Sequence, residues 1–145
     1  LREFAITESS LVRILVVDDF PDWRRWIVEK LSENPALQVI GVAVDGLEAV
    51  QKSEALRPDL VLLDIGMPRL DGISCAPEIR KVSSKSKILF LTQEMDPQVA
   101  KSCFEAGGDG FVVKSSARLD LFPAILAVML GDKFISPKVC GSLVQ

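Results

Sequence analysis

The chain has 145 residues, 48% of them hydrophobic, which is the size of one ordinary domain with a filled core. Its 17 basic and 20 acidic side chains leave a net charge of −3, so there is no global basic footprint for nucleic acid. Histidine is absent, which excludes a Ser-His-Asp triad, a Cys-His pair, a His-ligated zinc site and a phosphohistidine of the chain's own.

Residues 1–12 mix charge with small polar groups and read as a loose lead-in. Residues 13–18 carry the apolar run Ile14-Leu15-Val16-Val17 into Asp18 and Asp19 and predict a first strand. Pro21 suits the first turn of a helix, and Trp23, Trp26, Ile27 and Leu31 share one apolar face of it. We read the two tryptophans as helix-to-sheet packing rather than as a ligand platform. Asn34-Pro35 ends that helix, and residues 37–44 predict a second strand. Asp45 and Glu48 have capping-box spacing for a helix over roughly 46–57. Residues 59–64 run through Leu60-Val61-Leu62-Leu63 into Asp64 and form the third strand. A third helix is expected at 72–82, kinked or delayed by Pro77. Ile88-Leu89-Phe90-Leu91 is a fourth strand ending at Thr92. Asp96-Pro97 starts a fourth helix, which Ala106-Gly107-Gly108 closes, and Cys103 reads as a core residue of it. Phe111-Val112-Val113 is a short fifth strand ending at Lys114. Ile125, Leu126, Met129 and Leu130 belong to a fifth helix, whose first turns Pro123 is expected to make irregular or late. Residues 131–145 read as a linker.

Five strands alternating with five helices imply an α/β fold with a parallel sheet covered on both faces. In such sheets ligands sit outside the carboxyl ends of the strands, where the strand order reverses. Asp18, Asp19, Asp64, Thr92 and Lys114 all leave strand ends, so they can share one pocket. An acidic cluster repels itself unless a cation sits in it, and oxygen ligands suit Mg2+. This set fits phosphoryl transfer onto a carboxylate: an ionised nucleophile, a metal to neutralise phosphoryl oxygens, a lysine point charge and a hydroxyl donor.

The segments Val16-Val17-Asp18-Asp19, Leu63-Asp64-Ile65-Gly66-Met67-Pro68 with Asp71-Gly72, Leu91-Thr92 and Gly110-Phe111-Val112-Val113-Lys114 resemble the receiver domain of two-component response regulators. The resemblance spans about residues 13–130 and implies a five-stranded, doubly wound, flavodoxin-like sheet of order 2-1-3-4-5. It implies that Asp64 is the phosphoacceptor, and that Asp18, Asp19, Asp64 and the Gly66 carbonyl hold Mg2+. It implies further that Thr92 and Lys114 contact the phosphoryl group, and that Phe111 changes rotamer with Thr92. The face of the fourth helix, fifth strand and fifth helix would then change its pairing, with a homodimer on activation.

Lys114-Ser115-Ser116, Ala124-Ile125, Gly131-Asp132 and Phe134-Ile135-Ser136-Pro137 resemble the subfamily with LuxR-type helix-turn-helix output. Leu1 is not an initiator Met, and we expect a receiver cut from a transcription factor whose output domain, absent from this chain, binds DNA. A free-standing receiver is the other reading. The implied donor is a phosphohistidine on a sensor histidine kinase. The chain would then catalyse only its own phosphorylation and dephosphorylation, without acting as an enzyme on an external substrate.

Four positions depart from the family pattern. Ser115 stands where proline usually follows the lysine, and a cis bond there would cost roughly 3 kcal/mol. Gln93 replaces a small residue and is placed to screen the pocket. Pro77 and Pro123 fall inside helices that normally run smoothly. Gly66 and Glu94 occupy positions resembling those that tune phosphoryl lifetime.

No apolar stretch is long enough to span a membrane, and no secretory signal is visible. Cys75, Cys103 and Cys140 are odd in number and widely spaced, which suits a reducing cytoplasm. The alternative function is a pseudo-receiver, a constitutive binding and dimerisation module that takes no phosphate. A dehalogenase-type phosphatase would need a carboxylate at Gly66. A flavodoxin-like carrier would need a phosphate loop where Asp18-Asp19-Phe20 repels phosphate.

Overall fold

The computed structural model describes residues 11–93 and 95–139. The expectations for Glu94, for Cys140 and for most of the lead-in lie outside the described residues. The strands are β1 (Val12–Val17), β2 (Leu37–Ala43), β3 (Leu60–Asp64), β4 (Lys87–Thr92), β5 (Gly110–Val113) and β6 (Phe134–Ile135). The helices are α1 (Pro21–Leu31), α2 (Gly46–Leu56), α3 (Gly72–Val82), α4 (Pro97–Glu105) and α5 (Ala117–Met129). The sheet is parallel throughout, in the order β2-β1-β3-β4-β5-β6. The expected order of the first five strands holds. No helix among the described residues is long and apolar enough to cross a membrane.

The most continuous apolar runs lie in the middle of this sheet. All five residues of β3 are buried, whereas β2, at the edge, is half exposed. Strand side chains alternate, so each strand feeds two cores. Leu15, Val17, Val61, Leu63, Phe90 and Phe111 meet α2, α3 and α4 on one face. Ile14, Val16, Leu60, Leu62, Leu91 and Val112 meet α1 and α5 on the other.

The capping expectation for α2 is met, since Asp45 Oδ1 accepts from the Glu48 N–H at 2.8 Å. Glu48 Oε1 accepts in turn from the Val44 N–H at 2.8 Å. Neither Pro77 nor Pro123 delays the start of its helix. α3 starts at Gly72, and α5 starts at Ala117, straight after a 3-10 turn over Lys114–Ser116. Both prolines face solvent. The carbonyl that Pro123 deprives of a donor belongs to Leu119, which is 83% exposed, so water can replace the missing bond. All described peptide bonds are trans, that before Ser115 included.

The larger difference lies after α5. The segment read as a linker adds a sixth strand: Phe134 and Ile135 pair in register with Gly110 and Phe111. Two residues between a glycine and a proline are too short to show a strand period, so the sequence pattern predicts only five strands. Ser136 locks this strap down. Its N–H donates to the Phe111 carbonyl at 2.9 Å, its Oγ accepts from the Val113 N–H at 2.9 Å, and its hydroxyl donates to Asp120 Oδ2 at 3.0 Å. Ser136 and Val139 are fully buried. Ser136→Ala leaves a buried N–H without its acceptor, and we expect a loss of about 1–3 kcal/mol in urea unfolding. A loss below about 0.5 kcal/mol would show that the strap contributes little.

Candidate functional site

Strand alternation decides which side chains meet at the carboxyl end of the sheet. Asp18 extends the Ile14, Val16 row; Asp64 extends Leu60, Leu62; Lys114 follows Val112. All three therefore emerge on the α1 and α5 side. Thr92 extends the Ile88, Phe90 row and Phe111 lies in the same layer as Phe90, on the α3 and α4 side.

Asp18, Asp19 and Asp64 each place a carboxylate oxygen within 4.8 Å of the others. Asp18 and Asp64 are buried, at 2% and 7% exposure, while Asp19 is exposed at the rim. Asp18 is fixed at both ends: its Oδ1 accepts from the Phe20 N–H at 2.8 Å, and its carbonyl accepts from Arg24 at 2.6 Å. Lys114 Nζ donates to Asp18 Oδ2 at 2.8 Å and lies 3.4 Å from Asp64 Oδ1. One ammonium thus bridges two of the three carboxylates.

Burial, and then the charge of Asp18, push the Asp64 carboxyl up to about 6, although Lys114 pulls the other way. A carboxylate under that strain still lacks positive charge. The donor set is all oxygen, three carboxylates with the backbone at Gly66 beside them, and hard oxygen ligands of this kind fit Mg2+.

The loop from Asp64 to α3 is held close under the site. The Gly72 N–H donates to the Ile65 carbonyl at 2.8 Å. A Cβ at Gly72 would stand 2.2 Å from the Asp64 carbonyl oxygen, so only glycine lets the loop return there. A cavity of about 960 Å³ opens over Asp64, Gly66, Thr92 and Lys114. Gln93 and Ser115, both exposed, line the same cavity.

The predicted residues Asp18, Asp19, Asp64, Gly66, Thr92 and Lys114 meet at one site. Phe111 does not reach it; it is fully buried beneath, one strand over from Phe90. Two residues of the site were missed. Arg24 holds the Asp18 carbonyl, and Trp23 lies under Lys114, with Nζ 5.1 Å from its ring centroid. Trp23 and Trp26 do pack on the sheet core as read, but they also line the cavity. Their place one turn after the acidic pair was the available signal.

Residues 14–126 match the family model described as the response regulator receiver domain. The transcriptional regulatory protein LiaR of Bacillus subtilis is 32% identical over 135 residues, covering 93% of this chain and 64% of LiaR. The chain thus spans less than two thirds of that relative. The crystal structure of a LuxR-family two-component response regulator from Aurantimonas sp. SI85-9A1 superimposes with a TM-score of 0.87 at 31% identity, over 94% of this chain and 100% of that one. A chain of the CheX–CheY–BeF3–Mg2+ complex from Borrelia burgdorferi matches with a TM-score of 0.80 at 26% identity, over 88% and 98%.

Proposed function

This chain belongs to the response regulator receiver domain family of two-component signalling, with LuxR-type transcriptional regulators among its relatives, and from that premise we propose that Asp64 is its phosphoacceptor. The observation that carries this is the arrangement of Asp64: nearly buried, crowded by two carboxylates, faced by one lysine and open to a cavity. The donor is a phosphohistidine of a sensor histidine kinase, or a small acyl phosphate. A carboxylate oxygen of Asp64 attacks phosphorus, the P–O bond forms as the P–N bond breaks, and the electron pair leaves on the imidazole nitrogen, which takes up a proton. Asp64 is largely ionised at neutral pH with a carboxyl near 6, so the nucleophile is present.

Asp18, Asp19, Asp64 and the Gly66 carbonyl would hold Mg2+, which supplies charge neutralisation of the phosphoryl oxygens. Lys114, placed between Asp18 and Asp64, meets one phosphoryl oxygen there as a point charge. The Thr92 hydroxyl donates to another. Thr92 lies in the same layer as Phe111, and the Phe111 carbonyl is bonded to Ser136, so movement at Thr92 leads toward α4, β5, α5 and the strap after them. Because β6 occupies the β5 edge, a homodimer formed on activation would pair through α4 and α5 rather than by adding a strand. Control of transcription would pass to a DNA-binding domain beyond this chain, in the cytoplasm. Turnover is confined to the chain's own phosphorylation and dephosphorylation.

Gln93 at the cavity mouth supports one other reading, a module that binds partners without phosphate. Intact mass with acetyl phosphate and Mg2+, with size exclusion on the same samples, separates the two. One added phosphoryl group with a change in oligomer size supports the switch. No adduct and no change supports the constitutive module.

A further inference from the structure

Lys114 has a third neighbour besides its two carboxylates. Its ammonium sits over the indole of Trp23, 5.1 Å from the ring centroid. Pro21 opens α1 two residues after Asp19, and so brings the third helical position, Trp23, back beside the acidic cluster. Trp26, three residues on, stacks on Trp23 with ring centroids 5.0 Å apart and planes at 27°. The ring is therefore braced within its own helix.

Packing alone does not account for tryptophan here. The Trp23 Nε1–H is buried without a hydrogen-bond partner, a penalty that leucine or phenylalanine would avoid. What tryptophan adds is the strongest π face for a cation. The cation is one that benefits: the Lys114 side chain is 11% exposed, and a cation–π contact strengthens as the ammonium loses water. Without that face, only its two carboxylate partners would keep the flexible four-carbon stem of lysine from swinging into the 960 Å³ cavity beside it.

We propose that Trp23, braced by Trp26, is a positioning residue: it holds the Lys114 ammonium between Asp18 and Asp64, at the point where it meets the incoming phosphoryl oxygen. This rests on the reading of Asp64 as phosphoacceptor. Trp23 touches no reacting atom, and its effect passes through Lys114.

The test compares Trp23→Leu, which keeps an apolar face on α1, with Trp23→Phe, which keeps a smaller π face. Phosphoryl uptake from acetyl phosphate with Mg2+ should slow roughly 3- to 10-fold in the leucine variant and stay within about twofold of the unaltered chain in the phenylalanine variant. A second readout uses Trp26→Phe, which leaves Trp23 as the sole tryptophan. Beryllium fluoride with Mg2+ should bring a fluoride against the Lys114 ammonium where it lies over the ring and so shift the indole emission, and adding Lys114→Ala should abolish that shift. Equal rates in all three chains, equal slowing by leucine and phenylalanine, or an emission shift that persists without Lys114 would each overturn the proposal. No uptake by the unaltered chain while beryllium fluoride still gives a Lys114-dependent shift would overturn the phosphoacceptor reading and leave the lysine contact standing. No uptake and no shift would overturn both.

Discussion

Asp64→Asn is expected to abolish phosphoryl uptake, by roughly 1000-fold or more, and at the same time to make the protein more stable. The first effect follows because the amide has no anionic oxygen to attack phosphorus. The second follows from the cost of holding the charge. Burial and the charge of Asp18 raise the Asp64 carboxyl from 3.8 to about 6. The folded chain therefore binds more protons than the unfolded chain between those two values, and its stability falls as pH rises through that window. Below about pH 4 both states are protonated and the penalty vanishes; above about pH 6 it is complete. The side chain is only 10% exposed, so screening by water removes little of it. At pH 8 without Mg2+, the variant should gain about 3 kcal/mol in urea unfolding, shrinking toward zero near pH 4. A loss of stability, or a gain that does not vary with pH, would contradict this account of the site.

Lys114→Ala is expected to separate two properties that the site combines. Phosphoryl uptake should fall about 100-fold, the order seen when one donor to a developing oxyanion is removed. Mg2+ should bind more tightly, by roughly 3- to 10-fold, because the ammonium that bridges Asp18 and Asp64 no longer competes for those carboxylates. The Asp64 carboxyl should also rise further, since Lys114 is what lowers it. Raising the pH from 7 to 8 should therefore recover part of the lost rate in the variant and little in the unaltered chain. Titration calorimetry with Mg2+ and an acetyl phosphate time course at the two pH values measure both. Weaker Mg2+ binding, or uptake within a few-fold of normal, would contradict the role given to Lys114.

Much of the site was legible in the sequence because buried parallel strands are conspicuous. A run such as Leu60-Val61-Leu62-Leu63 allows no other comfortable place than the middle of a sheet, and the carboxylate that follows must leave at its end. The same reasoning placed Asp18 and Lys114. It could not place Trp23 against Lys114, because that contact depends on how α1 is set on the sheet and which way one rotamer turns. A tryptophan on an apolar helix face reads as packing whether or not a cation lies above it.

The prolines misled for a related reason. Pro77 and Pro123 were weighed by local preference, whereas their exposed faces remove most of the penalty. The strap was missed because Phe134–Ile135 is too short to carry a period, and its anchor is one serine whose three bonds all reach distant residues.

The central claim is that phosphorus is transferred to one carboxylate of three that lie together. Borohydride reduces an acyl phosphate on aspartate to homoserine, so peptide mapping after acetyl phosphate, Mg2+ and borohydride locates the acceptor directly. The account predicts homoserine at position 64 and unaltered aspartate at 18 and 19. Homoserine at Asp18 or Asp19 with Asp64 unaltered, or none in a chain shown to bind Mg2+, would contradict it.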